Sequence, residues 1–90
     1  MELKNLRDKI DEIDEALLRL FEARMDVVSE IAVYKRKNGL PAKDKAREAE
    51  ILEALSGKVR PELAPYVPIL YDTLFKLAYS HQEKQGIEVI

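Results

Sequence analysis

Two cations, Arg24 and Lys35, interrupt an otherwise apolar stripe in the first part of the chain. The stripe recurs every three or four residues, so its members share one face of a helix. Its apolar members are Leu3, Leu6, Ile10, Ile13, Leu17, Leu20, Val27, Val28 and Ile31. Lys35 follows Arg24 by eleven residues, which turn a helix by about 1100°, so both cations lie on that face, about 16 Å apart. Because a buried cation requires an anionic partner, the pattern predicts a site for an anionic ligand.

Further polar candidates lie near the start of a second predicted helix. Asp44 and Glu48 share one face with Leu52, while Arg47 shares the neighbouring face with Ile51. An Arg and an acid side by side could bind a carboxylate and a hydroxyl of a ligand. They could equally form a surface ion pair worth less than about 1 kcal/mol, and the spacing alone favours the ion pair.

A third predicted helix contains a neutral amide in an apolar row. Tyr71, Phe75, Ala78 and Gln82 fall on one face at three-four spacing, which places the Gln82 amide in a core register. The single histidine, His81, lies on the neighbouring, largely apolar face. It is most simply a packed or edge imidazole rather than a catalytic group.

The elements that would position these residues are three helices, one long and two shorter, and the predicted fold class is all-α. The predicted helices run from about Leu3 to Lys37, from about Lys45 to Leu55, and from about Tyr66 to just before Gly86. Asn38-Gly39 is a usual left-handed stop for the first helix, and Asp44 can cap the second. The tail Ile87 to Ile90 has no clear class.

The first helix is too long for the rest of the chain to cover. At about 1.5 Å per residue it extends for roughly 50 Å, so we expect two chains to intertwine as a homodimer. Arg7 precedes Arg24 by seventeen residues, which is about 25 Å along the axis and about 100° around it. Arg7 therefore cannot reach the site at Arg24 and Lys35 in its own chain, although an antiparallel partner could bring it there. From spacing alone, Arg7 is equally well explained as a solvated edge residue.

Composition restricts the class of protein. We expect residues 1–90 to form one domain, and the 47% apolar and 36% charged content is typical of a globular helical chain. The chain has no cysteine and one histidine, which argues against disulfides and metal sites. The net charge of −2 argues against nucleic acid as a partner. No targeting or transmembrane pattern is visible, so a cytoplasmic location is expected.

Four segments carry a family resemblance: LRDKIDEID at 6–14, EAR at 22–24, AVYK at 32–35 and PAKDKARE at 41–48. Together they resemble the all-helical class of chorismate mutases, over about residues 6–82. The resemblance implies three helices per chain, two intertwined chains and two active sites, each completed by an arginine from the partner. It also implies conversion of chorismate to prephenate in phenylalanine and tyrosine biosynthesis, without a cofactor or metal and without nucleic-acid or membrane partners.

The resemblance also implies the site residues. Arg7 would come from the partner chain, while the home site would contain Arg24, Lys35, Arg47, Glu48 and Gln82, with Asp44 at its edge. Lys35, Gln82, Arg47 and Glu48 would be catalytic, and all of these residues together with Ala78 would contact substrate.

One position departs from the family pattern. Ala78 stands where many members carry a serine four residues before the functional glutamine. A different alignment of the third helix would place the serine position at His81 and the functional glutamine at Gln85. Gln82 continues the helix face that contains Tyr71 and Phe75, which favours Gln82 as the functional glutamine.

Two other functions remain open from the sequence. An isochorismate pyruvate lyase uses a similar fold and a similar cationic pocket. A non-catalytic helical dimerisation module is the other alternative, in which Arg24 and Lys35 would pair with carboxylates of the partner.

Overall fold

The computed structural model describes residues 2–86, and within that range the chain is all-helical, with no strand. Its helices are α1 (Leu3–Lys37), α2 (Lys45–Ser56) and α3 (Val67–Lys84), with a short 3-10 helix at Ala64–Tyr66 before α3. The prediction of one long and two shorter helices is confirmed. The tail Ile87 to Ile90 lies outside the described residues.

The helix ends follow local sequence signals. Gly39 adopts a φ of 65° directly after the C-cap Asn38, a backbone conformation that glycine adopts without a steric penalty. The Asp44 side chain accepts a hydrogen bond from the Arg47 backbone N–H at 3.0 Å, as predicted for an N-cap. Helix α2 ends one residue later than predicted, and α3 begins at Val67 because Tyr66 still belongs to the 3-10 helix.

Loss of the Asp44 cap has a measurable expected cost. Asp44→Ala should lower the free energy of unfolding by about 1 kcal/mol, because the Arg47 N–H then loses its side-chain acceptor. Urea denaturation measures this change, with Lys43→Ala as the control at the exposed neighbouring position. Equal unfolding midpoints for the two variants would contradict a stabilising role for the cap.

Helix α3 packs against both α1 and α2. The described residues bury only a thin apolar core, which consists of Val28, Ala32, Ala42, Val67, Phe75 and Ala78. Ala42 belongs to the loop between α1 and α2, which folds back onto α1 so that Ala32 and Ala42 pack together. This loop brings the start of α2 close to the end of α1.

The first half of α1 leaves its apolar stripe uncovered in the single chain. Its stripe residues are between 44% and 60% exposed, namely Leu3, Leu6, Ile10, Ile13 and Leu17. The described chain measures 55 × 25 × 17 Å, and its radius of gyration of 16.2 Å exceeds the roughly 12 Å expected for a compact domain of this length. A contiguous exposed apolar surface of this kind is typical of a protein interface. None of the helices within residues 2–86 combines the length and the apolar content needed to cross a bilayer.

Candidate active site

Lys35 is half-buried near the end of α1, and its ammonium is held by the loop that follows. Lys35 Nζ donates to the Ala42 carbonyl at 2.7 Å, and the Leu40 N–H donates to the Lys35 carbonyl at 2.8 Å. An ammonium has three donor hydrogens. The contact with Ala42 therefore orients Lys35 and leaves donor capacity for a ligand.

Arg24 is half-buried on the same face of α1. Its guanidinium carbon lies 5.8 Å from the centroid of the Tyr71 ring, and Tyr71 meets Phe75 edge to face at 5.9 Å between centroids. The Arg24 Nη1 atom is buried and has no hydrogen-bond partner within residues 2–86. Buried donors are nearly always paired in proteins, so this atom points to a ligand or to a group of another chain.

Neither cation is neutralised by an acid of the described chain. The ion pairs seen between Arg60 and Glu62 and between Lys76 and Asp72 lie on exposed side chains and involve neither Arg24 nor Lys35. An anionic ligand as the partner of Arg24 and Lys35 stays a prediction.

The ion pair that spacing alone favoured on α2 does not form within residues 2–86. The Asp44 carboxylate instead accepts from the backbone N–H of Arg47, whose side chain is exposed. Glu48 is half-buried and accepts a hydrogen bond from the Tyr79 hydroxyl. It also lines a cavity between α2 and α3 together with Phe75. The two acids therefore have separate structural roles, and Glu48 turns inward.

The buried face of α3 contains Gln82 as predicted. Gln82 is 4% exposed and follows the buried residues Phe75 and Ala78 along that face. Its Oε1 has no hydrogen-bond partner within residues 2–86. Oε1 is an acceptor, so this unpaired atom can receive a hydrogen bond from a donor group, whereas any bond donated to a ligand would come from Nε2.

Gln85 and His81 lie against a different flank of α1. Gln85 Nε2 donates to Ser29 Oγ at 2.8 Å, and His81 Nε2 lies 2.9 Å from the same oxygen. Ser29 is about 120° around α1 from Lys35. Gln85 Oε1, like that of Gln82, is buried without a partner within residues 2–86, but Gln85 Nε2 holds α3 to α1, which favours Gln82 as the site residue. Half-buried His81 fits the expected packed imidazole.

Arg7 is exposed on the first turns of α1, beside the apolar side chains of Leu3, Leu6 and Ile10. Since α1 is continuous from Leu3 to Lys37, the predicted separation of about 25 Å from Arg24 holds. Arg7 therefore does not reach the site of its own chain.

Tyr79 was not predicted from the sequence as a site residue, and it contacts α1, the loop after α1 and α2. Its ring packs against Ala32 and Ala42, while its hydroxyl bonds Glu48. Burial and the hydrogen bond to Glu48 raise the pKa of Tyr79 to about 12. A signal was present, because Tyr79 follows Phe75 by four residues and so continues the α3 face that packs on α2.

A family model described as chorismate mutase type II matches residues 6–83 of this chain. The chain belongs to that family. The helices, the half-buried cations and the buried amide described above therefore belong to a chorismate mutase type II domain.

Curated relatives agree with this assignment. The T-protein of Haemophilus influenzae is 40% identical over 90 residues, which cover 98% of this chain and 24% of that protein. The chorismate mutase of Methanocaldococcus jannaschii is 36% identical over 53 residues, or 59% of this chain and 54% of that protein. The bifunctional chorismate mutase/prephenate dehydratase of Aquifex aeolicus is 44% identical over 54 residues, or 60% of this chain and 15% of that protein. The chain spans about a quarter of the length of the T-proteins it matches. No solved structure matches it.

The raised pKa of Tyr79 predicts how the stability of this chorismate mutase type II domain depends on pH. The unfolded phenol loses its proton near pH 10.0, whereas the folded phenol keeps it until about pH 12. The stability from this group is therefore complete below pH 10 and is lost as pH rises towards 12. Urea unfolding between pH 8 and 12 should show a steeper alkaline loss for the wild type than for Tyr79→Phe, with exposed Tyr66→Phe as the control. Parallel pH profiles for wild type and Tyr79→Phe would contradict this prediction.

Proposed function

We propose that this chain is a chorismate mutase that converts chorismate to prephenate in phenylalanine and tyrosine biosynthesis. The observation that carries the proposal is the pair of half-buried cations on one face of α1, Arg24 and Lys35, which no acid of residues 2–86 neutralises. Chorismate is a dianion, so its charge complements this pair. Family membership adds the reaction class.

The chemistry requires geometry and charge from the protein. Chorismate rearranges by a concerted pericyclic shift, without a covalent enzyme intermediate or an obligatory proton transfer. Arg24 and Arg7 of the partner subunit would each bind a carboxylate, since the planar guanidinium matches a carboxylate with two parallel hydrogen bonds. Binding both carboxylates holds the enolpyruvyl side chain over the ring, and fixing a reactive conformer can remove several kcal/mol from a barrier.

Lys35 and Gln82 would stabilise the transition state. The carbon–oxygen bond breaks ahead of carbon–carbon bond formation, so negative charge grows on the ether oxygen. The Lys35 ammonium and the Gln82 amide would donate hydrogen bonds to that oxygen. The contact of Lys35 with the Ala42 carbonyl supports this role, because it orients the ammonium before substrate arrives.

The start of α2 would bind the remaining polar groups of the substrate. Glu48 would accept a hydrogen bond from the ring hydroxyl, and Arg47 would add positive potential near the breaking bond. Asp44 would lie at the edge of the site. Ala78 would lie against a carboxylate and, having no hydroxyl, would provide one hydrogen bond fewer than the usual serine.

We propose an intertwined homodimer with shared active sites as the working form of the enzyme. The exposed stripe of α1 supports this assembly, because burying it against a second copy removes a long apolar surface from water. The shared site would place Arg7 of one subunit at Arg24 of the other. A cytoplasmic location and a single domain over residues 1–90 stay predictions.

The first test is product analysis by proton NMR. The purified chain is incubated separately with chorismate and isochorismate, after expression in a host that lacks its own chorismate mutases. Prephenate from chorismate would support the proposal. Pyruvate from isochorismate would favour the lyase, and no turnover of either compound would favour the dimerisation module. The Lys35→Ala variant, purified in parallel, controls for contaminating host enzyme.

A further inference from the structure

Tyr79 lies where α3 meets both α2 and the loop after α1. Its hydroxyl donates to Glu48 Oε2. Its ring packs against Ala32 and Ala42, which are 2% and 1% exposed. The phenol is therefore held at both ends, by packing at the ring and by the hydrogen bond to Glu48 at the oxygen.

The hydrogen bond from Tyr79 gives the two oxygens of the Glu48 carboxylate different roles. An ionised carboxylate has two acceptor oxygens and no donor hydrogen. Oε2 accepts the hydrogen bond from the Tyr79 hydroxyl, so Oε1 keeps its full acceptor capacity for a ligand. A free glutamate side chain samples many rotamers, and this contact selects one of them.

The same tyrosine supports the residue that holds Lys35. Ala42 packs against Tyr79, while the Ala42 carbonyl accepts from Lys35 Nζ at 2.7 Å. Phenylalanine at this position would keep the ring and its packing and would remove only the hydroxyl. The two functions of Tyr79 can therefore be separated by a single substitution.

We infer that Tyr79 is a positioning residue, which acts through Glu48 to fix the acceptor for the ring hydroxyl of the substrate. The inference rests on the proposed function, which assigns that hydroxyl to Glu48. Tyr79 itself touches no reacting atom. It fixes the orientation of Glu48 before substrate binds. Residues that contact a binding residue in this way hold its side chain in the geometry that the ligand requires.

Steady-state kinetics with chorismate test this inference through a double-mutant cycle. Tyr79→Phe should lower kcat/KM by about tenfold when Glu48 is present, which is the usual effect of losing a hydrogen bond to a charged group. In the Glu48→Ala background the same substitution should change kcat/KM by less than about twofold. The control is Tyr66→Phe, which removes the same hydroxyl from an exposed tyrosine.

Ligand affinity measurements distinguish a positioning role of Tyr79 from a general structural role. Two dianionic transition-state mimics are compared, one with the ring hydroxyl and one without it. Tyr79→Phe should weaken binding of the hydroxylated mimic by about tenfold and leave binding of the deoxy mimic unchanged. Equal weakening of both mimics would overturn the inference, as would an unchanged kcat/KM. If the wild type did not turn over chorismate, the proposed function would be wrong and the inference with it. If the wild type and the Tyr79→Phe variant were equally active, only the inference would be wrong.

Discussion

Lys35→Ala is expected to lower kcat by about two to three orders of magnitude, the usual effect of removing one donor that faces developing negative charge. The charge on the ether oxygen grows only as the bond breaks, so Lys35 would bind the transition state more strongly than the substrate. Loss of such a contact lowers kcat and kcat/KM together and changes KM little. Stopped-flow or steady-state assays of chorismate consumption measure both constants.

A matched control separates the Lys35 hydrogen bond from the loss of one positive charge. Lys37→Ala removes the same ammonium from an exposed position two residues later in α1, and it should leave kcat within about twofold of the wild type because surface substitutions rarely matter. Circular dichroism checks that both variants remain helical. Lys35→Ala also removes the donor to the Ala42 carbonyl, so its unfolding midpoint is measured alongside. A folded Lys35→Ala variant with a near-normal kcat would remove Lys35 from the mechanism.

Arg7→Ala and Arg24→Ala are each expected to be inactive alone and to regain activity when mixed. In a heterodimer of the two variants, one site combines Arg24 of one chain with Arg7 of the other and is intact, while the second site lacks both. Random exchange makes about half of the dimers mixed, so about a quarter of all sites should be active. Rates are measured after incubation, with subunit exchange confirmed by native mass spectrometry of a labelled chain.

A second mixture provides the control for this experiment. Arg24→Ala and Lys35→Ala alter the same site of one chain, so each site of their heterodimer lacks one of the two residues. This mixture should regain no activity. Recovery in both mixtures, or in neither despite confirmed exchange, would contradict a site that is shared between subunits.

Much of the fold could be predicted because its signals are local. The three-four spacing, the Asp44 cap and the Gly39 stop each depend on residues within one or two turns, and the observed helix ends lie within about a residue of the predicted ones. The exposure of the α1 stripe could likewise be predicted from the length of the helix and the spacing of its apolar residues. The cations within that stripe identified the candidate site for the same reason, since a charge in a core register is visible in the sequence.

The amino-acid sequence by itself determined the helices, the cationic face of α1 and the family resemblance, which the family match confirmed. Only the tertiary structure decided that Glu48 pairs with Tyr79 rather than Arg47, and that the Ala42 carbonyl holds Lys35. It also showed Gln85 bonded to Ser29, away from Gln82. These contacts join different helices and the loop between them, so they depend on where the helices cross. Helical periodicity shows which face of a helix is buried, but it contains no information about the residue that meets that face from another helix.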